Sequence, residues 1–439
     1  MNFTAVIIRG RVRGFSLLWL LLFPLSTVFS AEGEGVLDDV RFSGNKVTRE
    51  TVLRQEIVVR EGEPWTTEQV EKSRQAIMNL GLFKSVRAEL LEEEGRNILQ
   101  FTVVERFYIL PIPLLSYRPD FLADETTTNY SYGGQLRLDN LFGLNQRLKI
   151  EYEETEYDDD IEPPEKELEI SYSYPRVMGT PYRLVLDTEY VEKGIYTRED
   201  DAIVASTEFE RYAVSLAVSR WLNRKGSSEG WQAGAGLHFA NNRYQDTVGV
   251  SGYHSNDVVA LLGGVGYVMV DKFPYHRKGQ EFAYSLELAD ELLGSDSEYF
   301  RNTFRYRRYT PLDAVDANIN TQLKLGLAFG DGDAYSLGSS TSLRGYENDT
   351  LEGNLLLQGN LEYHHHLSGY RQLRGVLFMD LANVWPAFDE IDNHRLYSSF
   401  GVGLRWRMQS FVDVTLRADY AYNTDTGESE TYLATSGSF

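Results

Sequence analysis

The chain has 439 residues, no cysteine and a formal net charge of −22 at pH 7, a length that points to about two domains. The missing cysteines exclude disulfide staples and thiolate chemistry. The acidic balance excludes a nucleic-acid binder, whose affinity would rest on Lys and Arg neutralising phosphates. With 28 Tyr, 22 Phe and 37 Gly and few long apolar runs, the composition leans towards β structure.

Residues 1–30 read as a signal peptide. Arg9, Arg11 and Arg13 form a positive start, Phe15 to Leu25 is a short apolar run, and Val28-Phe29-Ser30 offers a cleavage site. No run of 18 apolar residues follows. The rest of the chain is therefore expected to be exported, as either a soluble protein or a β-barrel.

Residues 35–106 predict an α+β domain in the order β-α-α-β-β. Val40 and Phe42 alternate with polar neighbours before a Gly44-Asn45 turn. Thr48 is placed to cap a short helix carrying Val52 and Leu53. Thr66 and Gln69 form a capping-box pattern. Val70, Ser73, Ile77 and Leu80 follow at helical spacing, and Gly81 stands where a terminating glycine belongs. Two alternating runs complete the domain, the second carrying Leu99, Phe101 and Val103.

Residues 107–439 read as an all-β, antiparallel transmembrane barrel of about 16 strands. Segments of about ten residues alternate apolar and polar and are separated by turn signals. They fall near 109–118, 129–139, 145–156, 167–175, 181–193, 204–220, 230–242, 256–270, 279–290, 297–309, 314–329, 353–365, 373–385, 396–408, 411–423 and 429–439. Every second connection is acidic, including Asp158-Asp159-Asp160 and Glu199-Asp200-Asp201, as longer outer loops of such a barrel would be. Period-two reading gives each late strand a lipid face and a polar face. Glu362, Asp380, Arg405, Arg417 and Asp419 lie on polar faces, whereas Leu377, Val402, Val412, Val414 and Tyr420 lie on apolar ones.

Three features stand apart. The polar loop Ser336 to Thr350 carries Leu343-Arg344-Gly345-Tyr346 near its middle. Tucked into the lumen, the planar fork of Arg344 would pair with a carboxylate, and the candidates are Glu362, Asp380 and Asp419. Pro111 and Pro113 lie two apart on the first barrel strand, so both missing N–H groups fall on one edge. That edge is either a closing seam short of hydrogen bonds or a rigid join between domains. His364-His365-His366 cannot all face one side of a strand, and no second ligand cluster accompanies them. No nucleotide loop, zinc pattern or serine nucleophile elbow is evident, so no cofactor, metal or catalysis is expected.

The stretches Phe42–Asn45, Asn79–Val86 and Phe101–Arg106 resemble a POTRA domain. Leu343–Tyr346 resembles the sixth-loop motif of the POTRA-plus-barrel outer-membrane superfamily, which includes the BamA/TamA-type assembly factors and bacterial surface antigens. Phe378–Trp385 and Ala418–Ala421 resemble that family's late strands, with Ala382 where glycine is usual. The resemblance implies a single periplasmic POTRA domain and a barrel in the bacterial outer membrane, locked by the Arg344 loop. It also implies that the barrel inserts or translocates unfolded or secreted polypeptide, added to a sheet edge by β-augmentation. The client is expected along the strand bearing Leu99, Phe101 and Val103. Outer-membrane lipid and periplasmic accessory proteins are the other expected partners. A passive channel or structural barrel, whose POTRA domain docks a partner, is the alternative.

Overall fold

The computed structural model describes residues 35–119, 128–157, 164–199, 202–223, 227–332, 334–346, 351–367, 369–391 and 396–435. The expected signal peptide, Asp158–Asp160, Asp200-Asp201 and the last four residues of the expected 429–439 strand lie outside the described residues.

The first unit is β1 (Asp39–Ser43), α1 (Glu50–Arg54), α2 (Thr67–Asn79), β2 (Phe83–Glu93) and β3 (Arg96–Glu105). The capping box at Thr66 is formed in both directions, Thr66 accepting from the Gln69 backbone and Gln69 from the Thr66 backbone. Thr48 does not cap α1. Arg49 occupies that position without a side-chain bond, and the Thr48 hydroxyl instead donates to Glu105 at 2.6 Å. A local signal has been outbid here by a charged acceptor brought in from the last strand.

The sheet order is β1-β3-β2, with β3 parallel to β1 and antiparallel to β2. This overturns the reading of β3 as the client-binding strand. Leu99, Phe101 and Val103 are buried in the core under the helices, and both hydrogen-bonding edges of β3 are taken. Alternation in sequence marks a core-facing strand; it does not distinguish a central strand from an edge.

The second unit is a 16-stranded antiparallel sheet. Its strands are β4 (Ile109–Pro119), β5 (Thr128–Leu141), β6 (Gln146–Tyr157), β7 (Glu165–Tyr174), β8 (Tyr182–Glu199), β9 (Ala202–Trp221), β10 (Gly230–Val248), β11 (Asn256–Lys272), β12 (Arg277–Ala289), β13 (Tyr299–Leu312) and β14 (Ala317–Gly330). After a small hairpin, β15 (Tyr335–Leu337) and β16 (Leu351–Gly353), come β17 (Leu355–Leu367), β18 (Tyr370–Trp385), β19 (Tyr397–Arg407), β20 (Thr415–Asn423) and β21 (Ser429–Ala434). The strand count is the one expected. The hairpin inside the loop was not, because three-residue strands carry too little periodicity to register.

One face of the wall is apolar and exposed, as at Leu237, Phe239, Leu377, Met379, Phe400, Val402, Leu404 and Trp406, the arrangement a lipid-facing surface requires. Val412 and Val414 depart from the expected lipid face. They sit in the turn before β20 and are buried, Val412 in the core of the first unit and Val414 against Leu110 and Ile112 of β4.

The edge strands of the large sheet are β4 and β21. The Asp139 N–H donates to the Tyr108 carbonyl at 2.7 Å, so even-numbered residues of β4 bond to β5 and odd-numbered ones point their N–H groups the other way. Phe107 bears this out, donating its N–H to the Ser410 carbonyl at 2.7 Å across the outer edge. Pro111 and Pro113 share that parity, and both side chains are exposed. The outer edge of β4, which no strand among the described residues pairs along its length, therefore lacks two donors in succession.

Candidate functional site

The loop after β14 folds back against the inner wall instead of standing off the rim. Tyr335, Leu337, Leu343 and Tyr346 pack with Ala328, Leu356, Ala382 and Val384 in one buried cluster. This apolar anchoring carries Arg344 inwards, where it is 1% exposed. Alanine at 382 is fully buried in this cluster, so the loop accommodates its methyl group.

The Arg344 guanidinium binds Asp380 through both oxygens, Nε to Oδ2 at 2.6 Å and Nη2 to Oδ1 at 2.7 Å. Its Nη1 donates to Glu362 Oε1 at 2.7 Å and to Asp419 Oδ2 at 3.2 Å. Its plane lies over the Phe378 ring, 3.5 Å from the centroid. Glu362, Asp380 and Asp419 come from β17, β18 and β20, so one side chain ties the loop to three strands.

Sequence reasoning placed Arg405 and Arg417 on polar faces but did not assign them to this cluster. Arg405 donates to Glu362 at 2.9 Å and to Asp419 at 2.5 Å. Arg417 donates to Asp419 at 2.7 Å and also to the Ser340 carbonyl. Three arginines thus balance three carboxylates, all buried, as ions removed from water must be. Asn360 bridges Asp380 and the Ser342 carbonyl at 2.8 and 2.7 Å. The Tyr432 hydroxyl accepts from the Gly345 N–H at 2.9 Å, which brings β21 into the same assembly. The Tyr346 hydroxyl donates to Asp425 at 2.5 Å. Gly403 makes room for this network, since a Cβ there would lie 2.0 Å from Asp419 Oδ1 and 2.9 Å from Arg405 Nη1.

A second set of contacts seats the first unit across one mouth of the barrel. Glu56 is 2% exposed and accepts from Arg176 Nε at 2.8 Å and from the Ser228 N–H at 2.7 Å. These come from the β7–β8 and β9–β10 connections. Asn79 exchanges hydrogen bonds with Asp271 and the Lys272 backbone at 3.1 and 2.8 Å. Arg106 donates to the Phe411 carbonyl at 2.9 Å. Among the described residues no group of His, Cys, Asp and Glu has a metal-binding arrangement.

An α+β module set over the mouth of a 16-stranded wall, with an arginine loop folded into that wall, defines an outer-membrane barrel protein of the POTRA-bearing class. Comparison with known proteins makes this specific. The Omp85 superfamily domain matches residues 140–438, and the POTRA surface antigen variable number repeat matches 36–106. The chain belongs to the Omp85 superfamily, an outer-membrane barrel with its POTRA domain in the periplasm. The outer membrane protein assembly factor BamA of Neorickettsia risticii is 24% identical over 414 residues, which cover 87% of this chain and 52% of that protein. This chain thus spans about half the length of that relative. Among solved structures, BamA from Haemophilus ducreyi lacking POTRA domains 1–3 aligns with a TM-score of 0.52 at 18% identity, covering 91% of this chain and 83% of that one. CdiB from Acinetobacter baumannii aligns at 0.62 and 14%, covering 90% and 73%, and CdiB from Escherichia coli at 0.62 and 15%, covering 92% and 74%. These likenesses show the fold.

Proposed function

We propose that this protein inserts or translocates polypeptide at the outer membrane, with residues 35–106 as its periplasmic POTRA domain and the barrel running from residue 107. The observation that carries the reading is the free edge of β4. Phe107 bonds across it at the periplasmic end, and Pro111 and Pro113 then offer no donor to a neighbour. A sheet edge bonded at one end and short of donors above it holds any neighbouring strand only weakly, so a strand seated there can be exchanged for another. The Arg344 cluster ties β17, β18 and β20 together at the other end of the sheet order, so the β4 edge can change partners while those strands keep their register. The relative named an assembly factor accords with this activity. Chemistry at a catalytic centre has no part in it.

Client strands would reach the POTRA sheet on a free edge, β1 or β2, and not on β3. On β2, Leu90 is exposed and marks the place to probe. The test is photo-crosslinking in cells from positions 90 and 109. Capture of unfolded outer-membrane or secreted polypeptides at both positions supports the proposal. No capture at either, from a barrel that conducts ions in planar bilayers, replaces it with a passive channel.

A further inference from the structure

Below the Arg344 cluster, towards the POTRA domain, the wall encloses a cavity of about 130 Å³. Four arginines line it, Arg277, Arg374, Arg405 and Arg407, against two carboxylates, Glu362 and Asp413. These two do not balance the four: Arg405 is paired with Glu362 and Asp419, Arg374 is paired outside the lining with Asp316 at 3.2 Å and donates to Asn318 at 3.0 Å, and both lining carboxylates are shared with other cations. Glu362 already takes Arg344, Arg405 and His364, and Asp413 takes Lys272 at 3.3 Å, leaving Arg407 at 3.9 Å. Positive charge therefore collects here in a chain whose net charge is −22, so the excess is local and not a reflection of composition.

The donors are also under-used. Arg374 and Arg405 are each 5% exposed, and the Nε of each has no hydrogen-bond partner. Arg277 reaches only the Tyr309 hydroxyl, at 3.4 Å, and has no ion pair among the described residues. A buried charged donor left unmatched is costly, and guanidinium forks match the paired oxygens of carboxylate and phosphate.

We propose that this cavity is an oxyanion site, taking a carboxylate or phosphate group between Arg374 and Arg277. The volume suits one such group and not a folded segment. A second cavity of about 280 Å³, at the junction between the POTRA domain and the barrel, shares Asp413 with it. The oxyanion arrives either as a free ion or as the terminal carboxylate of a polypeptide. Only the second source rests on the transfer function proposed above.

The test is isothermal titration calorimetry of the purified full chain in detergent micelles. The probes are inorganic phosphate, acetate, and a short peptide ending in a free carboxylate or in an amide. Binding of an oxyanion to the native chain is expected, weakened about tenfold or more by Arg374→Gln and by Arg277→Gln. Heat-shifted electrophoretic mobility checks that each variant barrel is folded, and Arg277→Gln carries the test if Arg374→Gln does not fold. Peptide acid binding more tightly than acetate, with the amide inert, identifies a polypeptide terminus. Phosphate binding with the peptide acid no better than acetate identifies a free ion, and this holds whether or not clients crosslink. No oxyanion binding to the native chain, or undiminished binding to folded variants, overturns the site.

Discussion

Replacing Arg344 with alanine removes four side-chain bonds at once, two to Asp380, one to Glu362 and one to Asp419. The three acids do not lose equally. Glu362 keeps Arg405 at 2.9 Å and His364 at 2.7 Å. Asp419 keeps Arg405 at 2.5 Å and Arg417 at 2.7 Å. Asp380 keeps neutral donors, the Asn360 amide at 2.8 Å and the backbone N–H of residue 344 at 3.3 Å, while its side chain is 0% exposed. Stranding a buried charge in this way costs about 3–5 kcal/mol. Most of that cost should fall on Asp380. Adding Asp380→Asn to the alanine variant should therefore recover about 2 kcal/mol, whereas adding Glu362→Gln should recover nothing, since Glu362 still has Arg405. Guanidinium unfolding in detergent micelles, followed by tryptophan fluorescence and arranged as a double-mutant cycle, measures both. A loss below about 1 kcal/mol for Arg344→Ala, or rescue by Glu362→Gln as large as that by Asp380→Asn, would refute the reasoning.

Two further outcomes concern the POTRA domain. Partial burial pushes the Glu105 carboxyl up, but hydrogen bonds from the Thr48 side chain and from the Thr48 and Val47 backbone outweigh it and hold the group below its ordinary value of 4.5. Its stabilisation is thus full above that value and is lost as pH falls through the lowered one; Glu105→Gln should cost about 1–3 kcal/mol at pH 7 and flatten the acid limb of the stability curve, and an unchanged acid limb would count against this account. Arg176→Ala strands Glu56 and should loosen the seating of the POTRA domain by about 3–5 kcal/mol, more than Glu56→Gln does, read as faster amide exchange at Ser228 and in α1; equal exchange in both variants would argue that Glu56 is not what holds the junction.

Much of this was legible in the sequence because barrel walls obey a period of two. The alternation in 396–408 and 411–423 placed Arg405, Arg417 and Asp419 on the inner face before any contact was known. It could not say which inner residues meet, because Arg344 reaches Asp419 across 75 residues by way of a loop with no period. Tyr432 was missed for a related reason, since its strand is short and poor in apolar residues, and its role lies in one hydroxyl. Val412 and Val414 followed the alternation and still came out buried, because the POTRA domain covers Val412 and β4 covers Val414. The choice of β3 as a client strand failed because edge and centre differ only in pairing, which composition does not record.

The two prolines on β4 also bear on what the hydrocarbon of the bilayer will tolerate. An unpaired N–H facing lipid costs several kcal/mol, which is why open sheet edges are not found there. A proline has no N–H to leave unpaired. At positions 111 and 113 the outer edge of β4 sheds that penalty in advance, and only the carbonyls remain to be satisfied. Two missing donors likewise prevent a neighbouring copy from zipping along the same edge. The barrel can thus carry a discontinuity in its wall without that discontinuity becoming a point of self-association in a crowded membrane.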